Sequence, residues 1–277
     1  MTNKMDRVGI EFLSAFGLPP VAFINLAADL GCRYVSTVLE PLEYNPHGYP
    51  KYSLRHDRGL RREMIAALRD RGVTISLGEG FVVQPGVDVR EAYAADLDIM
   101  RELGAERINT VTFDPDLRRS FDQFALVAEM AASRGIDTVA EFAPCFPIGD
   151  LPTALAAIRH VGRNDFRLLI DTMHLGRTGG RAADIAVLDP DIIGYVQLCD
   201  APLLPTYPDY LDEAMYERMV PGTGELPLRD FVGALPRHLV LGLEVPLRSE
   251  ADAGVGTEQR LRRCVETTRT FLAELAH

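Results

Sequence analysis

The sequence predicts an α/β fold, a single (β/α)8 barrel built from one domain over residues 1–277. Three observations predict it. Short apolar runs alternate with longer amphipathic stretches from end to end, the pattern of a parallel sheet with crossover helices. The alternation counts eight units, and eight units over about 250 residues suit a closed barrel. No linker or composition break divides the chain, whose 277 residues suffice for one large core.

The elements follow in order. Val8–Phe12 is the first strand and Pro20–Leu30 its helix, stopped by Gly31. Tyr34–Leu39 is the second strand; a turn-rich loop leads to helix Asp57–Arg71, ended by Gly72. Val73–Leu77 and Val89–Leu103 form the third pair, Arg107–Phe113 and Ser120–Arg134 the fourth. Thr138–Phe142 and Leu151–Val161 form the fifth. Leu168–Ile170 is the sixth strand, with a short helix at Ala182–Leu188, and Ile193–Leu198 the seventh. A long loop, Ala201–Leu226, leads to helix Leu228–Leu235; Leu239–Val245 and Glu258–Ala276 complete the set. Glycines after the helices read as C-caps. A doubly wound sheet would carry a Gly-rich phosphate turn after its first strand, where this chain has Glu11-Phe12-Leu13-Ser14.

The formal net charge is −11. That argues against nucleic acid, whose phosphates need a basic face. No apolar run reaches the ~18 residues of a membrane span. Cys32, Cys145, Cys199 and Cys264 lie far apart with no CxxC pair, and Cys145 and Cys199 read as small buried residues. Sparse cysteines suggest a reducing compartment. The N-terminus lacks the apolar core of a signal peptide, so a cytoplasmic location is expected.

In a barrel the active site lies at the C-terminal lip of the strands. The fifth strand ends VAEFAP and supplies Glu141; the sixth ends LIDTMH and supplies Asp171 and His174. The seventh ends VQLCDAP and supplies Gln197 and Asp200; the eighth ends LGLEVP and supplies Glu244. Buried carboxylates are costly unless paired or metal-bound. Two Glu, an Asp and a Gln converging are hard oxygen ligands suited to Mg²⁺ or Mn²⁺.

With these residues the chain resembles the xylose isomerase-like TIM-barrel superfamily of sugar isomerases, epimerases and related dehydratases. The resemblance runs from GIEF to GLEV and includes the DxxH pair and the segment PGTGELPL, Pro221–Leu228. It implies one divalent metal ion on Glu141, Asp171, Gln197 and Glu244, with Glu141 and Glu244 also as the catalytic proton-transfer pair. His174 would then polarise a substrate oxygen. Gln197 is similar to the hydroxypyruvate-isomerase-like branch, where epimerases carry His. An amide oxygen favours Mn²⁺ or Mg²⁺, with Co²⁺ and Zn²⁺ admitted. The arginine that epimerases place after the seventh strand has no counterpart in Cys199–Tyr210.

The implied substrate is a small keto-sugar or hydroxy-keto acid, isomerised or epimerised through an enediolate. The alternative is a dehydratase or lyase acting on a keto-polyol of the inosose or 3-dehydroshikimate type by the same enolate chemistry. Endonuclease relatives use many His ligands and a basic surface, whereas this chain has six His and excess acid. Further expected substrate contacts are Asp200, Glu79, His47 and Arg248, all in segments that follow strands. Barrels of this family often pair, which admits a homo-oligomer.

Overall fold

The structure is a computed structural model that describes residues 7–275. Eight strands close a parallel barrel in chain order. They are β1 (Val8–Ile10), β2 (Tyr34–Thr37), β3 (Thr74–Val83), β4 (Arg107–Thr112), β5 (Asp137–Glu141), β6 (Phe166–Asp171), β7 (Ile193–Leu198) and β8 (Leu241–Leu243). Between and after them run α1 (Pro20–Asp29), α2 (Arg58–Arg71), α3 (Val89–Leu103), α4 (Leu117–Ala132), α5 (Leu151–Val161), α6 (Thr172–Arg177), α7 (Ala182–Ala186), α8 (Tyr210–Tyr216), α9 (Leu228–Ala234), α10 (Arg248–Asp252) and α11 (Thr257–Glu274). The expected barrel is therefore present. Among the described residues no helix is long and apolar enough to cross a membrane.

Local chemistry explains the helix ends. Asp57, Asp88, Asp116 and Asp150 each accept a backbone N–H of the first turn of α2, α3, α4 and α5, satisfying donors the helix leaves open. Gly72, Gly104 and Gly162 end α2, α3 and α5 in the left-handed conformation.

Strand alternation builds the interior. Leu77, Val139, Leu169 and Tyr195 form a small buried cluster of their own. Each stands two residues before a polar lip residue: Glu79, Glu141, Asp171 and Gln197. A period of two sends each pair to one face, so the apolar plug below and the polar floor above share strands. A second, larger core packs the outer faces of the strands against the helices.

The structure revises several boundaries. β1 stops at Ile10, and a 3-10 turn takes Phe12–Ala15. β3 runs on to Val83 with a register shift against β4 between Gly78 and Phe81. Gly80 sits in that irregularity at φ 101°, so Glu79 lies within the strand rather than after it. Helices α6 and α8 were not expected. α6 begins directly on Asp171, whose carboxylate accepts the N–H of Met173 and His174 at 2.8 and 2.9 Å. α8 occupies the long loop after β7. The predicted end of the last helix, Ala276, lies outside the described residues.

Candidate active site

The β5–β8 side of the lip is organised by a buried cation. Arg218, in the loop after α8, donates to Asp171 Oδ2 at 2.5 Å and lies 2.8 Å from Glu244 Oε2. Its Nε donates to the Ala214 carbonyl at 2.7 Å. Burial would disfavour the guanidinium charge, but Asp171 and Glu244 raise its pKa well above the ordinary value. Burial also works against the Asp171 carboxylate, yet Arg218, His174 and the two backbone donors hold it below the usual range. Glu244 has the opposite outcome. Burial and the neighbouring carboxylates raise it well above the usual range despite Arg218.

Glu141 is held from two sides. Asn109 Nδ2 donates to its Oε2 at 2.6 Å, and His174 Nε2 lies 3.2 Å from its Oε1. The other imidazole nitrogen of His174 is 2.5 Å from the Tyr210 hydroxyl on α8. His174 is thus wedged between the lip and the long loop.

The β1–β4 side contributes groups with no such cation. Glu11, just beyond β1, is fully buried. The Tyr195 hydroxyl donates to its Oε1 at 2.7 Å, and Tyr195 also meets Ser76 Oγ at 2.9 Å. Burial raises the Glu11 pKa to about 7. Glu79 accepts from Asn109 at 3.0 Å and from Gln197 at 3.1 Å. Burial, then the nearby Glu141 and Glu11 charges, raise it well above the carboxylate range. Gln197 Nε2 also donates to Glu244 Oε1 at 3.0 Å, which joins the two sides.

The structure thus brings Glu79, Glu141, Asp171, His174, Gln197 and Glu244 together and places three other expected contacts elsewhere. The Asp200 carboxylate receives the backbone N–H of Ala201, Gly222, Gly224 and Leu226 at 2.9 to 3.2 Å. It therefore organises the PGTGEL turn, and the expected substrate contact is corrected to a loop anchor. His47 meets Arg260 at 2.9 Å and does not line the cavity that the carboxylates floor. Arg248 is locked bidentately on Asp212 at 2.9 and 2.8 Å and lies over the rings of Tyr207 and Tyr216. It braces the rim. Cys145 is exposed rather than buried.

Four site residues had not been singled out. Glu11 directly follows β1 and Asn109 stands on β4, two strands whose ends were not read for chemistry. Ser36 on β2 accepts the Phe12 N–H at 2.8 Å, and it helps offset the burial of Glu11. Arg218 is an arginine after β7 that the reading of Cys199–Tyr210 did not reach. It lies beyond Cys199–Tyr210, in the run YERMVPGTG, and only folding brings it back to the lip.

Carboxylate and imidazole ligand atoms converge within 4.8 Å of one another in two groups, Glu141–Asp171–His174 and Glu11–Glu79–Glu244. Four buried acids and the half-buried Glu79 thus gather at the lip, where Arg218 pairs with two of them. Gln197 Oε1 and Glu11 Oε2 are buried without a hydrogen-bond partner. A donor set of hard oxygens with surplus negative charge and an unpartnered amide oxygen fits a divalent cation. Above it opens a cavity of about 520 Å³, reaching from Glu79, Glu141 and Glu244 to Phe113, Phe146 and Leu211 at the mouth. That volume suits a small-molecule ligand.

With fold and site in view, comparison with known proteins is informative. The chain belongs to the xylose isomerase-like TIM barrel family, whose model matches residues 24–264. A xylose isomerase-like TIM barrel/4-hydroxyphenylpyruvate dioxygenase fusion protein superposes with a TM-score of 0.73 at 21% identity, over 95% of this chain. This chain spans only 44% of that fusion protein's length. The IOLI protein, solved with a zinc atom, gives a TM-score of 0.77 at 14% identity over 98% of both chains. D-Psicose 3-epimerase with D-tagatose from Clostridium cellulolyticum H10 gives 0.70 at 17% identity, over 96% of this chain and 99% of that one. A search of curated protein sequences finds no match.

Proposed function

We propose that the whole chain acts as one domain, a divalent-metal-dependent isomerase or epimerase of a small hydroxyketone. The observation that carries this reading is the contrast between two carboxylates facing one cavity. Burial and the neighbouring carboxylates raise Glu244 well above the carboxylate range, while Arg218 lies 2.8 Å from its Oε2. Glu141, opposite it, accepts a 2.6 Å hydrogen bond from Asn109. A pair of carboxyl groups in different environments is the usual arrangement of an acid and a base.

Glu141 is then the base that removes a proton beside the carbonyl, and Glu244 the acid that returns one from the other side. His174, anchored by Tyr210, is placed to donate to a substrate oxygen. Arg218 keeps Asp171 ionised and fixes the rotamer of Glu244. Glu141, Asp171, Gln197 and Glu244 are the residues assigned to the metal, with His174 close enough to share it. When bound, the ion supplies Lewis-acid stabilisation of the developing oxyanion. Gln197 supports Mn²⁺ or Mg²⁺ and a hydroxypyruvate-isomerase-like branch; the zinc in the IOLI relative supports testing Zn²⁺ beside them. A cytoplasmic enzyme with no nucleic-acid partner accords with the acidic charge of −11.

The test is solvent exchange. Protein stripped by chelator and refilled with Mn²⁺, Mg²⁺, Co²⁺ or Zn²⁺ should incorporate deuterium from D₂O at the carbon next to a hydroxyketone carbonyl. Glu141→Gln and Glu244→Gln should each lower the rate by about 10²–10⁴-fold. No exchange with any ion, or full exchange in both variants, removes the reading. Product mass separates an isobaric isomerase or epimerase from a dehydratase that loses water.

A further inference from the structure

We infer that the substrate is an uncharged hydroxyketone bearing an apolar ring, and not a phosphorylated or carboxylated sugar. This rests on the enolising reading of the same cavity and narrows it. The inference starts from a mismatch between the two ends of the cavity. The floor is polar. The upper wall is built from Phe12, Phe81, Phe113, Phe146, Leu211 and Tyr216. A free sugar presents hydroxyls in every direction, and of these six side chains the Tyr216 hydroxyl alone can pair with one.

The mouth carries the clearest signal. Phe113 is 40% exposed and Leu211 37% exposed, among the few large apolar side chains left open to water. Phe113 meets Phe146 edge to face at 5.2 Å. Two aromatic edges and a leucine at a cavity entrance form a slot that a flat ring completes, since aromatic groups favour offset and edge contacts.

Charge points the same way. The cavity lining carries Glu79, Glu141, Glu244, Asp209 and Asp212. Among the described residues, Arg218 is the only lysine or arginine in that lining, and both ends of its fork are already engaged by Asp171 and Glu244. Arg248, the nearest rim cation, is held by Asp212. Apart from the ion itself, a phosphate or carboxylate entering here meets acids and, among the described residues, no unengaged lysine or arginine of the lining. Anion recognition by proteins uses unspent arginine forks or helix N-termini; the described lining presents no such arginine, and the α8 N-terminus beside it is already capped by the Asp209 carboxylate. The cavity of about 520 Å³ is also larger than a bare triose fills, which leaves the slot for the ring.

The experiment is calorimetry on the full chain, with Mn²⁺ refilled and with metal removed, using three probes: hydroxyacetone, dihydroxyacetone phosphate and 2-hydroxyacetophenone. The aryl ketone should bind about tenfold or more tightly than hydroxyacetone. Dihydroxyacetone phosphate should bind no more tightly than hydroxyacetone. In Phe113→Ser and Phe146→Ser, each checked by thermal melting for an intact fold, the ratio of aryl to methyl affinity should fall to within about threefold. Tighter binding of the phosphorylated probe, an aryl preference near one, a preference that survives both substitutions, or no binding of the aryl ketone overturns the inference. Failure of the catalytic reading looks different: the aryl preference persists in binding while no deuterium enters any probe.

Discussion

The two halves of the barrel lip carry similar chemistry and neutralise it by different means. On the β5–β8 half, Asp171 and Glu244 share the Arg218 guanidinium, and Glu141 has His174 beside it. On the β1–β4 half, Glu11 and Glu79 have only hydroxyl and amide donors: Tyr195, Asn109 and Gln197. Neutral donors offset part of a buried charge but not all of it. That half therefore raises its acids above the usual carboxylate range in the metal-free protein, Glu11 to about 7. The lesson is that one ring of acids serves as a charge-paired half and a proton-paired half, with Gln197 bridging them.

Three perturbations sharpen this contrast, beginning with the largest. Arg218→Met removes the cation and leaves Asp171 and Glu244 buried and unpaired. Breaking a buried pair in this way costs about 3–5 kcal/mol, read as a fall in chelator-treated stability. Added divalent ion should recover part of that loss, whereas no recovery would mean that the acids and the ion do not share a site.

The second perturbation addresses the proton-paired half. Folded, Glu11 keeps its proton up to about pH 7 against an ordinary value of 4.5. Its contribution is fully present below the unfolded pKa and is lost as pH rises through the folded one. Between those values the unfolded chain has released a proton that the native chain retains, so stability falls as pH rises. The total loss is on the order of 3 kcal/mol. Glu11→Gln should flatten that slope in denaturant titrations of chelator-treated protein between pH 4 and 8. An unchanged slope would assign the effect elsewhere.

The third is Gly242→Ala. A Cβ at Gly242 would sit 1.7 Å from Glu11 Oε1 and 2.8 Å from the Tyr195 hydroxyl. The side chains must shift, at about 1–3 kcal/mol. Combining Gly242→Ala with Glu11→Ala should restore stability, because the obstructing carboxylate is gone.

The barrel was legible because strand–helix alternation and glycine stops are local signals. Glu141, Asp171, Gln197 and Glu244 were legible because each ends an apolar run that stops at the lip. Glu11 was missed for a physical reason. Its apolar run continues into Phe12, so it reads as mid-strand, whereas the chain leaves the sheet after Ile10. Asn109 carries no charge to mark it inside RINTVT. Arg218 acts through chain closure, far from β7 in sequence, and no local pattern announces that. Asp200 shows the reverse: a position close to Gln197 in sequence does not fix side-chain direction, and four backbone N–H groups claim its carboxylate.

The Glu11 contact also has a consequence for how the chain acquires its native state. Glu11 follows β1, which closes the barrel by pairing with β8, and Gly242 on β8 makes room for it. That pairing joins residues more than two hundred positions apart, the most non-local and so the slowest kind of contact to form. Until β8 docks, the Glu11 carboxylate lies open to water and is ionised at pH 6. Docking of the last strand then takes up a proton. Sealing of the barrel around Glu11 is thereby coupled to solvent acidity.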